Sequence, residues 1–206
     1  VFKKLSNEDQ KVILIPNWAD VEEIVPSSRK QNSLLKELRI ADKFVVQYNG
    51  NMGRTHGIEN LFECMKQLSP ELEIHFLFIG TGAKKQWLES AVRQTALTNV
   101  TIMPYRLRKE HSTVHNACDL GIISMLIGMS GVSVPSRLYN IMAAGKPVVV
   151  VAENSSELAH VVREEGIGWV VEPGDTQELV AKILKAAKQP ELLRKMGMRA
   201  RAAAEE

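Results

Sequence analysis

Three shortages narrow the reading of this 206-residue sequence. Cysteine is scarce: Cys64 and Cys118 are the two present, too few for a disulfide framework. Cys64 falls in a helical pattern and Cys118 just before a strand pattern. Both are expected as buried free thiols, which suits a reducing cytosol. Long apolar runs are also missing. The longest obvious one, Val148–Ala152, falls far short of the about 18 residues needed to span a bilayer and reads as a buried strand. Charge imbalance is the third shortage. The 26 Lys and Arg against 24 Asp and Glu leave a net charge of +2, so composition gives no argument for a nucleic-acid-binding surface. The chain starts at Val1 rather than Met with no signal-peptide pattern after it, as a trimmed or processed chain would.

Several motifs are missing too. His111 and His115 are spaced i, i+4, but the stretch is "HSTVH", without the glutamate of a zinc protease helix. Surface or helix-packing histidines are expected. Aspartate pairs for Mg²⁺ are not evident. His75 reads as a packed strand residue, and Trp18, Trp87 and Trp169 as apolar packing.

What remains is a globular composition, 45% hydrophobic and 24% charged, enough for one sizeable core or two small ones. Short apolar runs alternate with helical periodicity. The strands are Phe44–Asn49, Glu73–Ile79, Val100–Met103, Leu120–Ser124, Pro147–Val151 and Gly168–Val171. Continuous apolar strands of this kind are buried on both faces of a parallel sheet. Between them, Ile58, Leu61, Phe62, Met65 and Leu68 recur at helix spacing, as do Leu138, Ile141 and Met142, and Leu179, Val180, Ile183 and Leu184. Asp175 or Thr176 suits a helix cap, and Pro190 a helix first turn. The order predicts an α/β fold: a Rossmann-like, doubly wound parallel sheet of about six strands flanked by helices. Residues 1–43 stand apart, with a strand at Val12–Ile15 and a charged helix in "QNSLLKELRI". The basic run Arg106–Lys109 reads as a solvated helix start.

In such sheets ligands bind beyond the carboxyl ends of the strands. Five loops converge there: Gly50-Asn51-Met52-Gly53-Arg54, Gly80-Thr81-Gly82, Pro104-Tyr105-Arg106, Met125 to Ser136, and Glu153 to Ser156. Glycines let backbone amides approach an anion, and a following helix aims its positive end at the same point. Loop 50–57 fits if its helix starts near Gly57, and loop 128–136 if its helix carries Arg137. Arg54 and Arg137 are the nearest added cations, and His56 is the histidine near the first loop. Taken singly, each glycine loop reads more readily as an ordinary tight turn, and it is their combination that points to an anion. A dinucleotide site wants G-x-G-x-x-G and an acidic residue about 20 positions on. Here the loop is G-x-x-G and the second strand ends without a carboxylate. A Walker loop is absent, since Gly145-Lys146-Pro147 leads into a strand. A receiver-type module would need an acidic cluster at the strand ends. Asp119 is the one aspartate directly beside a main strand, and it precedes its strand.

The ordered segments "IPNWADVEEIVP", "VVQYNGNMGRTHGIENLFECM", "FLFIGTGAKKQWLES", "NVTIMPYRLRKEHSTVHNACDLGIISM", "VPSRLYNIMAAGKPVVVV" and "GIGWVVEPGDTQELVAKI" resemble the carboxy-terminal half of GT-B glycosyltransferases. The likeness is to the large family 4 group, bacterial surface-polysaccharide enzymes especially, and spans residues 11 to 206. The resemblance implies a nucleotide-sugar-binding Rossmann-like domain at 21–190. Residues 1–20 would be a linker from an N-terminal domain, and 191–206 a C-terminal helix. Gly50, Asn51, Met52, Gly53, Arg54 and Arg137 would face the donor diphosphate. Pro104, Tyr105, Arg106 and Asn140 would border base and ribose. Met129, Ser130, Gly131, Val132 and Ser133 would line the sugar and phosphates. The family often carries glutamates where this chain has Asn140 and Val132, and a cationic pair where it has Asn51 and His56.

By the same resemblance, the enzyme transfers a sugar from a nucleoside-diphosphate sugar. The acceptor is a saccharide or lipid-linked acceptor held by the other domain. No cofactor, no metal and no nucleic acid are expected. The location would be the cytoplasm, or the inner face of the membrane for a full-length protein. No catalytic residue is assigned. The alternatives are a nucleotide-sugar epimerase of the same architecture and a non-enzymatic nucleotide-binding module.

Overall fold

The computed structural model describes residues 17–132 and 135–206. The strand expected at Val12–Ile15 and most of the expected linker lie outside them. Among the described residues the strands are β1 (Phe44–Asn49), β2 (Ile74–Ile79), β3 (Val100–Met103), β4 (Leu120–Ser124), β5 (Val148–Val151) and β6 (Gly168–Val171). The α-helices are α1 (Ser33–Glu37), α2 (Ile58–Gln67), α3 (Lys85–Gln94), α4 (His111–His115), α5 (Arg137–Ala143), α6 (Glu157–Glu164), α7 (Thr176–Ala187) and α8 (Pro190–Glu205).

The six strands form one all-parallel sheet in the order β3-β2-β1-β4-β5-β6, the doubly wound arrangement expected from the sequence. Strand composition follows position. β2 and β5 are buried at every residue, whereas β3 and β6, the two edges, are mostly half-exposed. Continuous apolar strands work here because both faces are covered. Phe76 and Phe78 of β2 share a core with Leu61 and Met65 of α2, Leu88 of α3 and Ile183 of α7. The alternate residues Leu77 and Ile79 pack with Leu35 of α1 and Val114 of α4 on the other face. On that same face Val148 and Val150 pack with Leu138 of α5, Leu158 of α6 and Ala200 of α8. Three helices start on side-chain caps: Asn32, Ser156 and Asp175 accept from the amides of Leu35, Ala159 and Glu178, each satisfying an otherwise orphaned N–H.

Two glycines mark close backbone contacts. A Cβ on Gly80 would fall 2.0 Å from the Gly50 carbonyl oxygen, so the first and second strand-end loops touch backbone to backbone. A Cβ on Gly197 of α8 would fall 2.2 Å from the Gly145 carbonyl oxygen, so α8 lies directly on the turn after α5. Arg201 ties that corner together. Its Nη1 donates to the carbonyls of Ile24 (2.8 Å) and Ala143 (2.7 Å), and its Nη2 to that of Val21 (3.1 Å).

Some expectations need correction. The charged helix of residues 31–40 is short, Ser33–Glu37, preceded by a 3₁₀ turn at Arg29–Gln31, because the Asn32 cap starts it late. Trp18 does not pack: it is 75% exposed, on a stretch without regular structure. The basic run after β3 does open a helix, with Arg108 and Lys109 exposed and a 3₁₀ turn at Arg108–Glu110 leading into α4, but two of its arginines are paired. Arg106 pairs with Glu37, and Arg108 with Glu23 at 2.9 Å. Glu73 and Pro147 lie just outside their strands. Cys64 and Cys118 are buried and free, and burial pushes their thiols up to about 12 and about 11. His75 packs in β2 with Nε2 2.8 Å from Thr101 Oγ1.

Candidate functional site

A cavity of about 470 Å³ opens at the carboxyl edge of the sheet, where the strand order turns between β1 and β4. Crevices at such switch points are the ligand sites of doubly wound folds, and the volume suits a small-molecule ligand. Asn49, Gly50, Asn51 and His56 enter it from the end of β1 and its loop. Ile79 comes from β2, and Tyr105 and Arg106 from the loop after β3. His111, Val114 and His115 come from α4, and Pro135, Ser136, Arg137 and Asn140 from α5 and its approach. Among the described residues the lining holds two arginines and three histidines and no carboxylate.

Arg137 is held from several sides. Its Nη2 lies 2.9 Å from His56 Nε2 and donates to the Asn51 carbonyl at 3.2 Å. Its Cζ sits 4.7 Å from the centre of the Tyr48 ring, a cation–π arrangement. Tyr48 is fully buried, and its hydroxyl donates to the same Asn51 carbonyl at 2.6 Å. Burial pushes the Tyr48 phenol up, with Arg137 pulling the other way. A guanidinium can only donate, so His56 Nε2 accepts and the imidazole proton rests on Nδ1. Burial first, then Arg137, pushes His56 down to about 4. Among the described residues Arg137 has no carboxylate partner, whereas Arg106 has two, Glu37 and Glu110.

At the α4 side of the cavity His115 is 4% exposed, with Nε2 3.3 Å from Asn49 Nδ2 and its ring edge-on to His111. Burial first, then His111, pushes it down to about 4. Among the described residues the buried side-chain nitrogens and oxygens without a partner are His56 Nδ1, Asn99 Oδ1, Arg106 Nε, His115 Nδ1 and Arg137 Nη1. All but Asn99 belong to residues lining this cavity. A buried polar atom left unmatched costs about 1–3 kcal/mol. Their concentration around one cavity is the mark of a site built for a polar ligand.

The structure divides the residues singled out by the sequence. Gly50, Asn51, Tyr105, Arg106, Arg137 and Asn140 line the cavity. Met52 points into the core and is fully buried, packed with Ile58 and Phe78. Gly53, Arg54 and Pro104 lie off the lining, and Arg54 is exposed. Met129 and Ser130 line a separate small cleft with Glu153. Gly131 and Val132 are exposed, and Ser133 lies outside the described residues.

The expected cradle of loop amides is largely occupied by the protein itself. The amides of Gly50, Met52, His56, Gly57 and Ile58 donate to the carbonyls of Ile79, Thr81, Gly53, Ser124 and His56. Those of Gly128 and Ser130 donate to Glu153 at 2.9 and 3.2 Å. The loops thread so closely against one another that their N–H groups are used internally, and side chains supply the polar lining. Sequence reasoning did not single out Asn49 or Val114, and reached Pro135 and Ser136 only as the end of loop 125–136. The i, i+4 spacing of His111 and His115 was a usable signal, since it puts both rings on one helix face.

Comparison with known proteins agrees with this geometry. The chain is 33% identical over 190 residues to the probable glycosyltransferase WbjE of Pseudomonas aeruginosa, covering 89% of this chain and 46% of that protein. It is 31% identical over 184 residues to WcaI of Escherichia coli (strain K12), a candidate colanic acid biosynthesis glycosyl transferase, covering 88% and 45%. The chain thus spans a little under half the length of these curated relatives. The crystal structure of Anabaena Alr3699/HepE in complex with UDP superposes with a TM-score of 0.78 at 20% identity, over 92% of this chain and 51% of that one. The family model for glycosyl transferases group 1 matches residues 30–203, nearly all of the fold just described, and the chain belongs to that family.

Proposed function

We propose that this chain is the donor-binding, carboxy-terminal half of a GT-B, family 4 type glycosyltransferase. It would hold a nucleoside-diphosphate sugar while a second domain presents a saccharide or lipid-linked acceptor. The setting is surface-polysaccharide or glycolipid assembly at the cytoplasmic side of a membrane. One observation carries the donor reading: a cavity at the switch point, free of carboxylates among its lining residues, holds Arg137 with Nη1 buried and unpartnered. A cation so placed suits a diphosphate. The relatives' roles in glycosyl transfer, and the UDP bound to HepE, support the same ligand class.

In the reaction, the bond from the sugar to the diphosphate breaks and negative charge grows on the departing nucleoside diphosphate. Arg137 stabilises that charge from a fixed position, and no metal ion is needed. Asn140 can donate to and accept from ribose hydroxyls, while Ile79, Tyr105 and Val114 offer apolar surface to a base. Calorimetric titration with UDP-, GDP- and ADP-glucose tests the reading. One of them binds wild-type protein and raises its melting temperature, and Arg137→Met removes that binding. If none of the three binds, the donor site is refuted.

A further inference from the structure

Resting on the donor-site reading above, we propose that His56 is the positioning residue of the site. As a neutral imidazole it accepts a hydrogen bond from Arg137 and so keeps the guanidinium's free Nη1 available to the diphosphate.

A guanidinium in a protein interior is ordinarily matched by a carboxylate, which fixes its place and also cancels its charge. At this site the two tasks are separated. The Arg137 Nη2 group is satisfied by two uncharged acceptors, His56 Nε2 at 2.9 Å and the Asn51 carbonyl at 3.2 Å. The Tyr48 ring lies across its face. The whole positive charge is left for a ligand, and Nη1, buried and without a partner, is the group left to deliver it. An Asp or Glu in place of His56 would compete with the phosphate, and a Lys would have no lone pair to offer.

The groups around His56 keep it neutral. Arg137 reaches it from α5. Lys84, just ahead of α3, donates from Nζ to the His56 carbonyl at 2.7 Å and pairs with Glu59 of α2. Tyr48 of β1 presents its ring at 6.4 Å, edge to face. Burial, then Arg137 and Lys84, oppose protonation and outweigh the Gly53 backbone, which favours it, so the imidazole is pushed down to about 4. The opposite role, a charged imidazolium touching the phosphate itself, would require that proton.

Two measurements separate these roles. Nitrogen-15 NMR of the ligand-free wild-type protein reads the tautomer directly. The expected result is a protonated Nδ1 and an unprotonated Nε2, persisting well below the ordinary histidine range. Calorimetry with UDP-, GDP- and ADP-glucose then compares wild type with His56→Gln, His56→Leu and His56→Lys, each checked for a native melting transition. The Gln carbonyl can accept in place of Nε2 and retains binding within about threefold. The Leu and Lys variants lose about tenfold or more, the scale of a hydrogen bond to a charged group. Wild-type affinity holds as the pH is lowered from 6.5 to about 5 and falls only as it passes through about 4, where the imidazole takes up its proton, while the sugar-linked diphosphate keeps its charge. A protonated Nε2, a His56→Lys variant that binds as well as wild type, or affinity that rises on acidification would each overturn the proposal and leave the donor site standing. Wild-type protein that binds none of the three sugar nucleotides would overturn both.

Discussion

Arg137 shows how far a single residue can be read from a chain of letters. Its place after a glycine- and serine-rich loop at a strand end predicts a part in the site, and it lines the cavity. Arg54, in the first glycine loop, carries the same expectation and is exposed, off the lining. Sequence spacing locates a loop, but which side chain turns inward depends on how neighbouring loops pack, as the Gly50–Gly80 contact illustrates. Met52 sits between two candidate residues and is a core residue. At this scale the histidines make a pH prediction. His115 and His56 are pushed to about 4, and His75 below its ordinary 6.5, burial being the first cause in each case. The unfolded chain therefore binds more protons than the folded one between about 4 and 6.5. This contribution to stability is complete above 6.5 and is lost as the pH falls through that window. The urea midpoint is expected to fall across it, and His115→Gln to flatten part of the fall. A midpoint with the same slope in wild type and variant would refute the assignment to His115.

Elements were easier to read than residues. All six strands match the expected positions to within one residue, because runs such as "IHFLFI" and "VVVV" are buried on both faces and have no competing helical period. The helix in "QNSLLKELRI" was overextended: its start depends on the Asn32 side chain accepting from Leu35, a choice invisible to periodicity. Caps and close contacts give two predictions. Asp175→Ala removes the acceptor for the Glu178 amide at 2.8 Å and should lower the unfolding free energy by about 1 kcal/mol, measured by urea denaturation. Gly197→Ala is the sharper test. In an open helix the change gains about 1 kcal/mol. In α8 the new Cβ would meet the Gly145 carbonyl at 2.2 Å, so the sign should reverse and the melting temperature drop. A more stable variant would show that α8 does not rest on that turn.

For the whole molecule, the alternation of strand and helix is enough to give the doubly wound sheet and the carboxyl edge where ligands bind; the strand order, with its turn between β1 and β4, comes from the structure. It could not give the corner where the two ends of the described chain meet. Arg201 bonds three carbonyls there, Val21 and Ile24 of the incoming segment and Ala143 at the end of α5. Helix α5 begins with Arg137 and ends at Ala143, a rigid rod of about 10 Å at 1.5 Å per residue. What grips one end of the rod is therefore mechanically joined to what grips the other. By reciprocity, a guest that seizes Arg137 should quieten the backbone near Val21–Ile24, slowing its amide exchange with deuterated solvent, and Arg201→Met should abolish that slowing. On that expectation the segment entering the fold would serve as a handle on Arg137, and its amide exchange as a gauge of whether the cavity is filled.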